Sequence, residues 1–305
     1  MLSGNQPYFS LNAYLKNTFG QKVYKLALNG GMTCPNRDGT CGTRGCIFCG
    51  EDGSGAFAED SKLSISEQIE RAKKRVDKKA GNAKYIAYFQ SFTNTYAPVD
   101  YLRRIFFEAI KSQTIVALSI ATRPDCLPKE VLELISELQK IKPVFVELGL
   151  QTIHEKTAQY IRRGYDLQCF DCAVKNLKSI GANVVVHVIL GLPGETKEMM
   201  LETVSYVGKS GADGIKLQLL HVLRETDLAV DYENGLFETL TFQKYADILI
   251  SCIEILPRDM VIHRLTGDGA KSHLISPLWS ADKKRVLNDI AQIIKDKKII
   301  QGSKF

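Results

Sequence analysis

Thr33-Cys34-Pro35-Asn36-Arg37-Asp38-Gly39-Thr40-Cys41-Gly42-Thr43-Arg44-Gly45-Cys46-Ile47-Phe48-Cys49-Gly50 is the stretch from which the rest of the chain can be read. Four cysteines fall within 16 residues of a run rich in Gly and Asn, which cannot continue a strand or a helix core. Thiols concentrated in a loop point to metal binding, and thiolates are soft ligands suited to zinc or to iron–sulfur clusters. A zinc knuckle uses two Cys-x2-Cys pairs, but only Cys46 and Cys49 form one; six residues separate Cys34 from Cys41. A cluster held by three cysteines leaves one iron open to an outside ligand. Either Cys34 or Cys41 could complete such a set with Cys46 and Cys49, and the spacing alone does not choose.

Outward from this loop the chain settles into a βα rhythm. Strand-like runs occur at 22–28, 84–90, 115–120, 143–148, 183–190 and 215–220. Between and after them lie helix-like segments at 64–79, 99–111, 128–139, 167–180, 197–210 and 241–255. The first opens on a Ser64-x-x-Glu67 capping box, shows Ile69, Ala72 and Val76 on one face, and is expected to stop at Gly81. Near-continuous apolar strands such as Val184-Val185-Val186 are typical of parallel sheets covered on both faces. Six such units fit a partial (β/α)6 barrel of the α/β class, with a site at the carboxyl ends of the strands; a flat doubly wound sheet is the alternative. The expected organisation is a lead-in over 1–20, a core over 21–221 and a C-terminal extension over 222–305.

The composition is that of an ordinary globular protein: 305 residues, 45% hydrophobic and 24% charged. The start lacks a basic stretch followed by an apolar one, and the longest apolar run, near Val184–Leu192, is too short to span a bilayer. A cytoplasmic protein is therefore expected, in which eight cysteines serve as ligands, reactive thiols or core rather than disulfides. Cys126, Cys169, Cys172 and Cys252 read most simply as packing residues. Gly191–Thr196 resembles a phosphate cradle, but no Gly-Lys-Ser/Thr follows it, so a P-loop is rejected. The formal charge of +6 is compatible with an anionic partner without requiring one.

Val23-Tyr24-Lys25-Leu26, Cys34-Pro35-Asn36-Arg37-Asp38-Gly39 and Cys46-Ile47-Phe48-Cys49 resemble the YtqA/YhcC-type radical S-adenosylmethionine (SAM) proteins, relatives of the Elongator radical SAM subunit. The likeness continues through Tyr88–Pro98, Ala121–Asp125, Glu147–Thr152, Gly191–Thr196, His221–Arg224 and His263–Gly269, nearly the whole chain. It implies a radical SAM barrel with a [4Fe–4S] cluster on Cys34, Cys46 and Cys49, and leaves Cys41 a bystander. It implies that SAM binds the open iron and is cleaved to a 5′-deoxyadenosyl radical. Phe48 is expected near the adenine, and Gln90, Thr93 and Asn94 toward the methionine end. Glu147 and Gln151 are expected on the ribose or sulfonium side, and Leu190 and Gly191 in backbone contact with adenine. Arg163 and His187 complete the expected cofactor-binding set, although His187 reads equally as a satisfied core histidine. Where the family has Arg-Gly-His this chain has Arg163-Gly164-Tyr165, which puts any role for an imidazole there in doubt.

Within the resembling family, YtqA-type (MnmL-like) members act on the wobble uridine of tRNA, converting a carboxymethylaminomethyl group to an aminomethyl group. The resemblance thus implies tRNA as substrate and an electron donor such as flavodoxin or ferredoxin. Tyr8, Tyr14 and Tyr24 are expected either to stack on bases or to belong to the core. The alternatives are a radical SAM enzyme acting on a small molecule or a protein, and a non-catalytic metal-containing RNA-binding module.

Overall fold

The computed structural model describes residues 6–53, 57–77, 83–267, 269 and 271–305. The expected stop of the first long helix at Gly81 and Asp268 of the His263–Gly269 motif lie outside them. The chain runs α1 (Leu11–Phe19), β1 (Val23–Leu28), α2 (Ile65–Asp77), β2 (Lys84–Phe89), α3 (Val99–Lys111), β3 (Ile115–Thr122), α4 (Lys129–Gln139) and β4 (Val144–Gln151). It continues through α5 (Glu155–Tyr160), α6 (Leu167–Ser179), β5 (Asn183–Leu190), α7 (Lys197–Lys209), β6 (Gly214–Leu219), β7 (Val222–Leu223) and α8 (Asp227–Glu233). It ends with α9 (Phe242–Ile255), β8 (Val261–Arg264), β9 (Leu274–Ser276) and α10 (Lys283–Asp296).

The six expected strands are present and pair in chain order, all parallel, as a curled half-barrel. A seventh, β8, joins β6 in parallel from the segment expected to be a C-terminal extension. At four residues it is too short to register as a periodic run. The lead-in segment attaches beside it, with Ile262 donating its backbone N–H to the Phe9 carbonyl at 2.8 Å. β7 and β9 form a separate antiparallel pair next to the end of β6. No helix among the described residues is long and apolar enough to cross a membrane.

Strand alternation sorts the side chains into two sets. Leu26, Ala87, Leu118, Val146, Val186 and Leu217 face outward into the main core, under helices whose apolar stripes are spaced by three and four residues. On α3 that stripe is Leu102, Ile105, Phe106, Ala109 and Ile110. The inward set forms layers. Val23, Ile86, Ala117, Phe145 and Val185 cluster with Leu15 of α1, which plugs the N-terminal mouth of the lumen. Two residues further along their strands stand Lys25, Tyr88, Ser119, Glu147 and His187, joined by Lys216 of β6. Two more bring Gln90, Ala121, Gly149, Ile189 and Gln218 to the wall of the main cavity.

The aromatic residues considered for RNA stacking belong to this architecture. Tyr14 packs edge-on against Phe9 and Phe145, both at 6.1 Å between ring centroids, inside the plug. Tyr8 and Tyr24 are half-buried and pack on the main core. The capping box is formed, with Glu67 accepting from the Ser64 backbone at 2.9 Å and Ser64 Oγ accepting from the Glu67 backbone at 3.2 Å. Thr196, Thr241 and Asp166 cap α7, α9 and α6 with a side-chain oxygen that accepts the backbone N–H three residues on.

Leu15 is 3% exposed in the plug, so Leu15→Ala should cost about 2–5 kcal/mol of unfolding free energy by denaturant titration. A loss under about 1 kcal/mol would show that α1 is not part of the cooperative core.

Candidate active site

At the carboxyl ends of the strands lies a cavity of about 450 Å³, within the usual range for small-ligand sites. Cys34, Cys46 and Cys49 all line it. Cys41 does not: its thiol is exposed and lines a separate depression with Gly42, Arg44 and Arg162. The loop folds this way because its own polar groups tie it down. Arg37 donates to the carbonyls of Cys49 at 2.9 Å and Gly50 at 2.7 Å, closing the loop on itself. Asn36, 4% exposed, donates to the Arg162 carbonyl at 2.7 Å and approaches Cys46 Sγ at 3.5 Å. That contact needs Gly164, whose φ is +83° and whose place could not hold a Cβ, since it would fall 2.7 Å from Asn36 Oδ1.

The donor set fits a three-thiolate cluster better than a single ion. Among the described residues no three His, Cys, Asp or Glu side chains converge closely enough for one metal ion. In a [4Fe–4S] cluster each thiolate takes its own iron, so the sulfurs stand further apart, around an opening rather than about a point. Four-sulfur zinc would require Cys41 to turn inward from its exposed position. Burial, with Cys49 and Cys34 nearby, pushes the Cys46 thiol up to about 12, so ionisation there needs a bound cation in place of the proton. Arg123 stands within electrostatic reach of Cys34 and Cys46 and is anchored to Asp125 by two bonds of 2.9 and 2.6 Å. Its fixed charge opposes the negative charge that thiolate ligands bring.

Of the residues expected to contact SAM, Phe48, Gln90, Thr93, Glu147, Gln151, Arg163 and His187 line the same cavity as the thiols. Asn94, Leu190 and Gly191 do not. Asn94 is fully buried and ties the loop after β2 to β3, its Nδ2 donating to the Ala121 carbonyl at 2.8 Å. Leu190 faces outward into the main core by strand alternation, and Ile189 takes the inward place. Gly191 lies behind Leu240, where a Cβ would meet the Leu240 Cδ1 at 2.9 Å.

Arg163 is 1% exposed and works mostly as a strut, donating to the carbonyls of Thr152 at 2.7 Å, Leu150 at 3.3 Å and Tyr165 at 3.0 Å. Tyr165, in the place of the family's histidine, lies between two guanidiniums, Arg163 at 4.8 Å and Arg123 at 5.1 Å from the ring centre. Its hydroxyl donates to the Gly149 carbonyl and lies 3.4 Å from Gln151 Oε1. Gln151 sits past a bulge at the end of β4 with φ of +63°, and its amide folds over Gly149, where any Cβ would collide with it at 2.5 Å.

Glu147, 1% exposed, is fully engaged within the lumen. It accepts from Lys25 at 2.6 Å, Ser119 at 2.8 Å, His187 Nε2 at 2.9 Å and Lys216. Burial works against its ionisation, but Lys216 and Lys25 outweigh that and hold the carboxyl below the usual range. Lys216 is pushed down to about 7 by burial and by the facing charges of Lys25 and Arg264. Burial and Lys216 push His187 down to about 4, leaving a neutral imidazole. Glu147 and His187 thus form the floor of the cavity rather than its open wall. Gln218 and Arg264, also lining the cavity, were not among the expected site residues. The signal for Gln218 was present in the inward alternation Lys216-x-Gln218; Arg264 depended on a strand too short to read.

The radical SAM superfamily model matches residues 38–207, and the radical SAM C-terminal domain model matches residues 212–296. The Bacillus subtilis (strain 168) protein YtqA is 43% identical over 298 residues, covering 98% of this chain and 92% of that one. A Methanocaldococcus jannaschii tRNA uridine(34) acetyltransferase is 29% identical over 157 residues, covering 50% of this chain and 28% of that one. Among solved structures, Methanocaldococcus infernus Elp3 with residues 1–46 deleted superposes with a TM-score of 0.70 at 17% identity, covering 92% of this chain and 64% of that one.

The neutral His187 makes stability depend on pH. Its folded-state value of about 4 lies below the ordinary 6.5. Between these values the unfolded chain binds a proton that the folded one refuses, so stability falls as pH drops through the window. From pH 7 to pH 5 this single group should remove about 2 kcal/mol, read by urea titration. His187→Gln should flatten the slope by about that amount, leaving the part contributed by His263, which is depressed in the same direction. An unchanged slope in the variant would contradict the buried neutral imidazole.

Proposed function

The chain belongs to the radical SAM superfamily, whose enzymes use a [4Fe–4S] cluster and S-adenosylmethionine, and we propose that it modifies the wobble uridine of tRNA, converting carboxymethylaminomethyl-uridine to aminomethyl-uridine. The observation that carries the site is the separation of the four loop cysteines. Cys34, Cys46 and Cys49 share the cavity and Cys41 faces away from it, which supports the first three as cluster ligands. Once bound, the cluster and SAM supply the one-electron chemistry that opens a substrate C–H bond. Arg37 and Asn36 hold the thiol-bearing loop, Arg123 balances its charge, and Phe48 with Gln90 and Thr93 supplies the wall against which SAM is oriented. Gln151, held at its bulge by Tyr165, is positioned as a polar contact to the same molecule. Tyr165 acts here through packing and hydrogen bonding, a role that needs no imidazole.

The substrate reading is supported by the likeness to a tRNA uridine(34) enzyme over half of the chain. Segment 222–305 is taken as a substrate-related extension: β7 and β9 reach the cavity mouth, where Leu223, Arg224 and His273 line it. Lys284 and Arg285 at the start of α10 and Arg71 and Lys74 on α2 are exposed and suited to phosphate contacts. Flavodoxin or ferredoxin would supply the electron, and we place the reaction in the cytoplasm.

Anaerobically reconstituted protein should hold about four irons and four sulfides. Cys34→Ala, Cys46→Ala and Cys49→Ala should each lose them, and Cys41→Ala should keep them. Loss in Cys41→Ala with retention in Cys34→Ala would reverse the assignment. For the substrate, tRNA from a deletion strain should accumulate carboxymethylaminomethyl-uridine at the wobble position. Unchanged wobble uridines, together with no salt-dependent tRNA binding by the pure protein, would favour a small-molecule substrate.

A further inference from the structure

The cysteine loop is lined on two sides. One side borders the cavity that holds the three thiols. The other borders the depression that takes the Cys41 thiol, with a volume of about 620 Å³. Gly45 and Tyr165 line both spaces and form the wall between them. Two helices flank the depression. α5 brings Glu155, Ala158 and Gln159 to its lining. On α8, Asp227 accepts from Arg44 at 2.8 Å and from Arg162, both of which line it too. Tyr160 and Val230, 38% and 55% exposed, extend this face with apolar surface, and the Tyr160 hydroxyl donates to Asp231 at 2.6 Å.

The floor of the depression is thin. Asn36 lines it, donates from Nδ2 to the Arg162 carbonyl at 2.7 Å, and stands 3.5 Å from Cys46 Sγ. The Arg162 carbonyl itself lies 3.6 Å from the same sulfur. One side chain thus reaches from the depression to an assigned ligand. Electron tunnelling falls off exponentially with distance, and more slowly through bonds and hydrogen bonds than across open space. An electron arriving through Asn36 also crosses neither SAM nor substrate, which fill the cavity when the reaction runs.

We propose that this depression, between the cysteine loop, α5 and α8, is the docking face for the protein electron donor, a small redox protein that seats the edge of its one-electron centre over Asn36. This rests on the radical SAM reading of the cavity, and it gives that reading a partner surface. One electron leaves the donor's reduced centre and takes the cluster from [4Fe–4S]2+ to [4Fe–4S]+, and no bond is made or broken in the transfer. The face suits a brief encounter. It offers a tyrosine and arginines beside aliphatic surface, the residue types favoured in small, transient redox interfaces. Arg44 and Arg162 are already paired with Asp227, so covering them leaves no guanidinium unmet. The formal charge of +6 steers an acidic donor toward the chain at long range.

The test mixes cluster-loaded protein anaerobically with reduced flavodoxin, with reduced ferredoxin or with dithionite, and follows bleaching of the cluster absorbance by stopped flow. Two variants alter the face outside the cysteine loop: Gln159→Trp fills the depression, and Val230→Lys interrupts its apolar flank. With the faster protein donor, Gln159→Trp should lose at least about tenfold in second-order rate and Val230→Lys several-fold. The oxidised donor should bind each variant correspondingly more weakly by calorimetry. Reduction by dithionite, which needs no docking, should be unchanged, as should iron and sulfide content. Protein-donor rates that neither variant alters, an equal loss with dithionite, or a wild-type protein that neither donor reduces would each overturn the docking face and leave the cluster assignment standing. Binding of tRNA weakened in both variants, with donor rates intact, would give the depression to the substrate and overturn it as well. A wild-type protein that takes up no iron and sulfide would overturn the radical SAM reading together with the face.

Discussion

Glu147 is the group about which the inside of this protein is arranged. A carboxylate at the centre of a parallel sheet is tolerated only when its charge is met, and here β1, β3, β5 and β6 each send one polar side chain to it. Strand alternation then dictates what lies above and below. Two residues toward the amino ends the lumen is apolar and plugged by α1; two residues toward the carboxyl ends it opens into the cavity. The charged layer is the boundary between a dry plug and a ligand site. It also fixes the character of the cavity floor, where Lys25 and Lys216 share one carboxylate.

The upper wall depends on a different device. The cysteine loop has little regular structure of its own and is held by side chains that satisfy its backbone. Arg37 gathers the Cys49 and Gly50 carbonyls, Asn36 locks onto the turn after α5, and Arg163 braces that turn from beneath. Tyr165 joins this bracing to the bulge of β4 through the Gly149 carbonyl. The thiols and the end of β4 are therefore mechanically connected, as a site requires when one ligand must touch both a cluster and the strand ends.

Much of the fold was legible in the sequence because the parallel strands are long, β-branched and separated by capped amphipathic helices; their bounds were read to within a few residues. β8 escaped because four residues carry no usable period, and its strength comes from pairing with β6 rather than from local propensity. α1 escaped because an inner plug shows only two buried residues, Ala13 and Leu15, within nine. At the site, residue types were easier to read than directions. Glu147 and His187 were read as cofactor-binding candidates, His187 equally as a core histidine, but only the structure shows that they point to each other below the cavity. Leu190 turns its side chain into the core beside the inward-facing Ile189, because a single step along a strand reverses the side chain, so the contact expected of it is one for its backbone alone. Arg264 and Gln218 meet at the cavity wall, and no linear spacing brings β6 and β8 together.

The central claim is that three thiols at the mouth of this cavity hold a cluster whose remaining iron faces the space where SAM binds. Electron paramagnetic resonance of the reduced, reconstituted protein, recorded with and without SAM, reads that iron directly. A fourth iron facing the cavity predicts a [4Fe–4S]+ signal whose g-values shift when SAM is added. A signal that SAM leaves unchanged, or a cluster that forms only with Cys41 present, would contradict the account.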